Sequence, residues 1–346
     1  RYHQQIAMVL EEQFPDTKET QPELVAHHYT EAGLLEQAIP YWQQAGQRAS
    51  RRSANREAIS HLTKGLDLLK TLPDTPERAQ QELMLQLTLG NPLTVTKGYA
   101  VPEVEATYTR AIELCHQLGE PPQLIGALLG LSSFHQLRAE YQIARELREQ
   151  CLCLAQKEQD PTRLMWAYST LGLTLFFLGE VALAQDHLEQ GITLYDPQKH
   201  APLVSGTLSD PGMGGLSYVA LTLWLLGYPD QALKRSHEAL TLAQELSHPY
   251  SLAYALNFAG NLYQFRREWQ AAQERAEALL VLAREQGFPV WIAWGTILRG
   301  WALAEQGQNE EGIAQIRQGL IAWRATGSAV WRPYFLGLLA EAYKKV

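Results

Sequence analysis

The sequence predicts an all-α fold, a solenoid of antiparallel helix pairs with a period of about 40 residues, and three observations carry that prediction. Small residues recur in one register at Ser132, Gly172, Ala220, Gly260, Gly300 and Ala340, spaced 40, 48, 40, 40 and 40 apart. A second small series, Ala144, Ala184, Ala232, Ala272 and Gly312, follows 12 positions later, and Cys151, Gly191, Ala239, Leu279 and Gly319 come seven further on. Helix breakers fall between the units, at Gly119-Glu120-Pro121-Pro122, Asp160-Pro161, His248-Pro249 and Gly287-Phe288-Pro289.

Two helices cross closely only where one side chain is small, and each hairpin leaves an apolar face for the next to cover. Small residues must therefore recur at fixed places, while the other core positions need only be apolar. Gly179, Gly227 and Gly307 fall at the turn between the helices of a pair. Gly172, Gly260 and Gly300 are expected at helix crossings, where leucine would overpack at a cost of about 1–3 kcal/mol. No alternating β pattern of useful length appears. Leu93-Thr94-Val95-Thr96 is the single β-branched run and is assigned to an insertion before Pro102.

This register divides the chain into N-terminal helical hairpins over 1–71 and the repeat superhelix over 77–346. Inserted loops are expected near 91–102 and 196–215. The second, with Pro197, Pro202 and Pro211, accounts for the spacing of 48 and reads either as a lid or as a tolerated surface loop.

With 46% hydrophobic and 19% charged residues, the 346-residue chain can bury a core and fits no disordered class. A net charge of -8 repels phosphate backbones and argues against nucleic acid as a partner. No apolar run approaches the roughly 20 residues of a membrane span. Cys115, Cys151 and Cys153 sit in helical patterns and in odd number, which points to a reducing, cytoplasmic setting. The chain opens Arg1-Tyr2-His3-Gln4 without Met, which suggests a cut point inside a longer protein.

One unit runs Tyr168-Ser169-Thr170-Leu171-Gly172-Leu173-Thr174-Leu175, then Leu178-Gly179-Glu180, then Ala184-x3-Leu188-x2-Gly191. It resembles the tetratricopeptide repeat (TPR), in a version longer than the usual unit of about 34 residues. Ala259-Gly260-Asn261-Leu262-Tyr263 with Ala272-x3-Ala276, and Ala26-His27-His28-Tyr29, Gly33 with Ala38-x3-Trp42-x2-Ala45, keep the register. The resemblance implies a TPR-like, right-handed α-α superhelix. Three phrases are more specific: Gln21-Pro22-Glu23-Leu24-Val25-Ala26-His27-His28-Tyr29-Thr30-Glu31-Ala32-Gly33, Thr96-Lys97-Gly98-Tyr99-Ala100-Val101-Pro102-Glu103-Val104-Glu105, and Leu225-Leu226-Gly227-Tyr228-Pro229-Asp230-Gln231-Ala232-Leu233. They resemble the TPR region of bacterial multidomain signalling proteins, in which a class III adenylate/guanylate cyclase or a kinase is fused to a STAND (AAA-type) ATPase. The architecture is also similar to the sensor of maltose-responsive transcription activators, whose repeats bind a small inducer. No Gly-x4-Gly-Lys-Ser/Thr is present, so ATP binding is not carried over to this chain.

Chemical motifs are weak. His27 and His28 are adjacent and point about 100° apart on a helix, so they cannot share a metal. Cys151-x-Cys153 lacks the spacing of a zinc site and reads as packing thiols. Gly212-x-Gly214-Gly215 follows no strand and does not support a phosphate loop. Arg48, Arg51, Arg52 and Arg56 form a basic stripe if that stretch is one helix, most simply a solvated face. No cofactor, metal site or catalytic cluster is expected.

The functional expectation rests on the first helix of each pair. In the TPR family the inner surface is lined at offsets of minus six, minus three, plus one and plus four from the small anchor. Here that rule gives Trp166, Ser169, Leu173 and Phe176, then Ser217, Leu221 and Trp224. Tyr254, Asn257, Asn261 and Gln264 follow, then Trp294, Ile297 and Trp301, and finally Tyr334. Asn257 and Asn261 lie one helical turn apart and can grip one peptide amide, while the rings supply area. The competing reading is that these rings pack between hairpins. A chaperone-tail clamp is disfavoured, because it needs Lys and Arg at these offsets. The chain is thus expected to be a non-catalytic interaction or sensor scaffold. Its partner would be a protein, a peptide or the ATPase and catalytic domains of a longer parent. The alternative is a small-molecule inducer pocket of a transcription regulator.

Overall fold

A computed structural model describes residues 1–98, 100–200 and 209–346. Among the described residues there is no β-strand, and the fold is the TPR-like helical solenoid. The chain forms two compact units, residues 1–96 with 102–130, and residues 97–101 with 131–346. This division differs from the expected break between 71 and 77.

In the first unit α1 (Tyr2–Gln13), α2 (Pro15–Thr20) and α3 (Pro22–Glu31) precede α4 (Leu35–Arg51), α5 (Asn55–Leu69), α6 (Pro76–Lys97), α7 (Pro102–Gln117) and the start of α8 (Leu124–Leu137). Ala26, Ala38, Trp42 and Tyr29 form its first core with Ala7 of α1. Glu11 accepts hydrogen bonds from the hydroxyls of Tyr29 and Tyr41, which ties α1 to α3 and α4.

Two expectations fail here. Residues 91–97 are not a loop, because α6 continues through Leu93-Thr94-Val95-Thr96 to Lys97. Burial of Leu93 and Thr94 overrides the β-branched preference, and the Thr94 hydroxyl donates to the Gly90 carbonyl at 2.8 Å. The arginine stripe is also broken. Arg48 and Arg51 are on α4, Arg56 is on α5, and Ser53 turns the chain between them at φ 59.

The second unit continues with α9 (Tyr141–Glu158), α10 (Pro161–Phe177), α11 (Val181–Thr193), the single turn α12 (Pro197–His200), α13 (Pro211–Leu225), α14 (Pro229–Leu246), α15 (Pro249–Phe265), α16 (Trp269–Gln286), α17 (Pro289–Glu305), α18 (Asn309–Ala325) and α19 (Arg332–Tyr343). The expected 196–215 insertion is shorter at both ends, since α12 and the first turn of α13 lie within it. Residues 201–208 are outside the described residues. Proline opens α10, α13, α15 and α17 at the first helical position, where its missing N–H costs nothing. Asp160 and Asp210 cap α10 and α13 with their carboxylates.

The small residues do sit at crossings. A Cβ on Gly172 would lie 3.1 Å from the Ala184 carbonyl oxygen of α11, and one on Gly260 would lie 2.5 Å from Leu298 of α17. Gly300 and Gly312 face each other, so that a Cβ on either would approach the other's carbonyl oxygen to 2.7 or 2.6 Å. Ala340 departs from its series and is exposed, because no further described hairpin covers α19. The turn inside each pair takes a left-handed residue at Gly179, Gly227 and Gly307, and also at Ala139 and Arg267, with φ of 61° and 62°. The geometry belongs to the repeat and not to glycine, and the two substituted turns bear its steric cost.

Candidate functional site

Helices α10, α13, α15, α17 and α19 contact one another in succession and form one wall of the second unit. A chain of aromatic side chains runs along it. Tyr218 packs against Phe176 at 5.4 Å, Phe258 at 4.8 Å and Tyr254 at 6.4 Å between ring centroids. Phe258 leads to Trp294 at 5.6 Å, and Trp294 to Trp323 and Phe335. Trp331 completes the set, with Phe177 at 5.3 Å, Trp294 at 5.2 Å and Tyr334 at 5.6 Å.

Trp331 reaches this position because the turn before α19 folds back across the unit. The Ala329 and Val330 amides donate to the Leu137 carbonyl at 2.7 and 3.1 Å. Gly327 abuts Ala100, and Gly98 abuts Thr326, each so closely that a Cβ would meet backbone at 2.6 or 3.0 Å. Trp331 itself is left-handed at φ 64°, a costly conformation for an aromatic residue, held by rings on four helices.

The sequence-predicted residues divide accordingly. Phe176, Tyr254, Trp294 and Tyr334 are brought together through Tyr218, Phe258 and Trp331. Asn261 accepts from Trp294 Nε1 at 3.2 Å, and Gln264 accepts from the Tyr334 hydroxyl at 2.8 Å. Trp224 joins them at the margin, stacked at 6.4 Å on Phe265, which meets Tyr334 at 5.6 Å. Trp166 joins none of the ring contacts among the described residues; its carbonyl accepts from the Thr170 hydroxyl. Trp301 is core, 1% exposed, with its indole directed at Glu341. Asn257, Asn261, Gln264 and Trp294 are likewise buried, so the expectation of an open lining surface is corrected for these five. Neighbouring helices and the C-terminal turn cover them, an effect that offsets along one helix cannot report.

Asn257 is fully buried and neither its amide nitrogen nor its oxygen has a partner, and the Asn261 nitrogen and Trp291 Nε1 are also unpaired. A buried, unsatisfied polar group costs about 1–3 kcal/mol. Carrying several on one aromatic wall is a feature that folding alone does not favour.

Arg148 on α9 was missed. It stands four residues after the small Ala144, where other units place Trp42, Leu188 and Ile316 in the core. A charge at an apolar repeat position was the available signal. Arg148 is 1% exposed, and burial lowers its pKa to about 10. It donates to Ser132 Oγ at 3.1 Å, Gln136 Oε1 at 3.1 Å, the Thr170 carbonyl at 2.7 Å and the Thr174 hydroxyl. Nearby Cys151 is buried and its thiol is pushed up to about 12 by desolvation. None of the three cysteines forms a disulfide. Among the described residues no group of His, Cys, Asp and Glu could hold a metal ion, and no helix is long and apolar enough to cross a membrane.

No protein-family model matches the chain. An uncharacterized protein of Rhizobium meliloti (strain 1021) is 26% identical over 320 residues, 90% of this chain; the chain spans 30% of the length of that relative. Among solved structures the chain is similar to a Rap protein complexed with competence and sporulation factor, at a TM-score of 0.61 with 10% identity over 88% of this chain and 86% of that one. It is similar to the Rap conjugation gene regulator of plasmid pLS20 in complex with the Phr* peptide, at 0.53 with 12% identity over 88% and 96%. It is also similar to a STAND protein with a tetratricopeptide repeat sensor from Pyrococcus horikoshii, at 0.53 with 12% identity over 86% and 43%. These likenesses show the fold, a TPR-like helical repeat solenoid.

Proposed function

We propose that the chain is a non-catalytic sensing and interaction module that binds an extended peptide or protein segment along the aromatic wall of its second unit. The observation that carries this reading is the set of buried amide atoms without partners, both of Asn257 and the nitrogen of Asn261, beside half-buried rings. A peptide backbone supplies one donor and one acceptor per residue, which matches such amides, and rings supply contact area. The peptide named in the pLS20 regulator complex and the repeat sensor of the STAND protein support this assignment by analogy of fold. In the same reading the chain is the regulatory TPR region of a longer cytoplasmic signalling protein with ATPase or cyclase domains, and a bound ligand biases one arrangement of the repeats through its differential affinity.

A second reading, a small-molecule inducer site, is favoured by the turn at 326–331, which lies over the wall and leaves less room for a long ligand. Thermal-shift screening of a peptide library and a metabolite library separates the two. The reporter variant is Tyr254→Ala, since Tyr254 is half-buried on the wall and Trp301 is core. Saturable stabilisation by peptides, lost in Tyr254→Ala, is expected. Stabilisation by one metabolite alone selects the inducer reading, and a response unchanged in Tyr254→Ala rejects the wall as the site.

A further inference from the structure

The geometry points to Arg148 and Gln136 as an anchor for a carboxylate on the ligand, a site class not set by the repeat. The inference rests on the wall being the ligand site and adds the chemistry of one end of that ligand. A guanidinium is always ionised near neutral pH, and removing it from water is expensive unless an opposite charge joins it. Arg148 is 1% exposed, and no Asp or Glu forms an ion pair with it among the described residues. Residues 99 and 201–208 contain neither acid. Its hydrogen-bond partners, Ser132, Gln136, Thr170 and Thr174, are all uncharged.

The second observation is independent. Gln136 is 1% exposed and presents its oxygen to Arg148, which leaves its amide nitrogen as a donor with no acceptor. A buried cation without a counter-ion and a buried amide N–H without an acceptor thus stand on hydrogen-bonded neighbours. A carboxylate accepts from a guanidinium and an amide together through its two oxygens, in short charge-assisted bonds. Arg148 donates to Thr170 and Thr174 of α10, a helix of the aromatic wall, so the cation adjoins the surface proposed to bind the rest of the ligand. The same position carries Leu188 and Ile316 in other pairs, and apolar groups there stabilise without a buried charge.

The test uses the full chain, with Arg148→Met and Gln136→Leu as variants. N-acetylphenylalanine and N-acetylphenylalanine amide are titrated at constant ionic strength while melting temperature and tryptophan fluorescence are followed. A hexapeptide ending in phenylalanine, with a free or an amidated terminus, separates a peptide carboxylate from a free organic acid. At least tenfold tighter binding of one acid over its amide is expected, falling to parity in Arg148→Met, with that variant melting at or above the wild type in buffer. Gln136→Leu should weaken the acid and spare the amide. Equal binding of acid and amide, no binding of either pair, or acid preference persisting in Arg148→Met overturns the anchor. Peptide binding that is equal in wild type and Arg148→Met leaves the wall reading standing and removes only the carboxylate.

Discussion

The Ala329 amide donates to the Leu137 carbonyl at 2.7 Å, and this bond fastens the turn before α19 to the end of α8. The Ser328 hydroxyl reaches the same carbonyl at 3.3 Å. With Gly327 against Ala100, the turn is held at both sides and Trp331 is fixed over the wall. The amides of Ala329 and Val330 should therefore exchange hydrogen slowly in the native state. Gly327→Val places a side chain against the Ala100 carbonyl at positive φ and should accelerate both amides at least tenfold. Fast exchange in the unmodified chain would show the turn detached in solution.

Ala139 and Arg267 take the left-handed turn that glycine takes at 179, 227 and 307. Ala139 is exposed, so Ala139→Gly removes steric cost without loss of packing. A gain of about 1 kcal/mol in urea unfolding is expected, and Gly179→Ala should lose a similar amount.

Asn257 carries two unpaired amide atoms at full burial. Asn257→Leu should raise the stability of the ligand-free chain by about 1 kcal/mol, because a group of similar size replaces one that is desolvated without a partner. The same variant should weaken peptide binding. Loss of stability in Asn257→Leu would mean that the amide is satisfied in solution.

His28 has its pKa lowered by burial, then by His3 and His27. Its Nδ1 lies 2.8 Å from Nδ1 of His3, which requires at least one neutral ring. The folded state thus binds the proton less readily than the unfolded chain. The His28 contribution to stability is fully present above the ordinary value of 6.5 and is lost as pH falls through the lower folded value. Melting of α1–α3 should shift downward between about pH 7.5 and about pH 5.5, and His3→Gln should reduce that shift. A shift of equal size in His3→Gln would exclude the histidine contact as its source.

The repeat was legible because it is a demand of close packing. Where α17 crosses α18, the carbonyl of Gly312 leaves no room for a Cβ on Gly300, so the spacing of small residues reports each crossing directly. Pro161, Pro249 and Pro289 mark helix starts for an equally local reason, the absence of an N–H that a first turn does not use, whereas Pro211, expected in a loop, opens α13. Local preference misled at Leu93-Thr94-Val95-Thr96, where burial within a helix prevailed. The wall was half legible. Phe176, Tyr254, Trp294 and Tyr334 followed from offsets along a helix, while Trp331 and Tyr218, and Arg148 of the neighbouring α9, did not.

The sequence by itself determined the helical repeat and the crossings at Gly172, Gly260 and Gly300, since these depend on chain neighbours and on the size of one side chain. The tertiary structure alone decided which rings of the second unit meet and which amides are sealed. A turn near residue 329 bonds to residue 137, and no periodicity along the chain encodes an approach between segments that far apart.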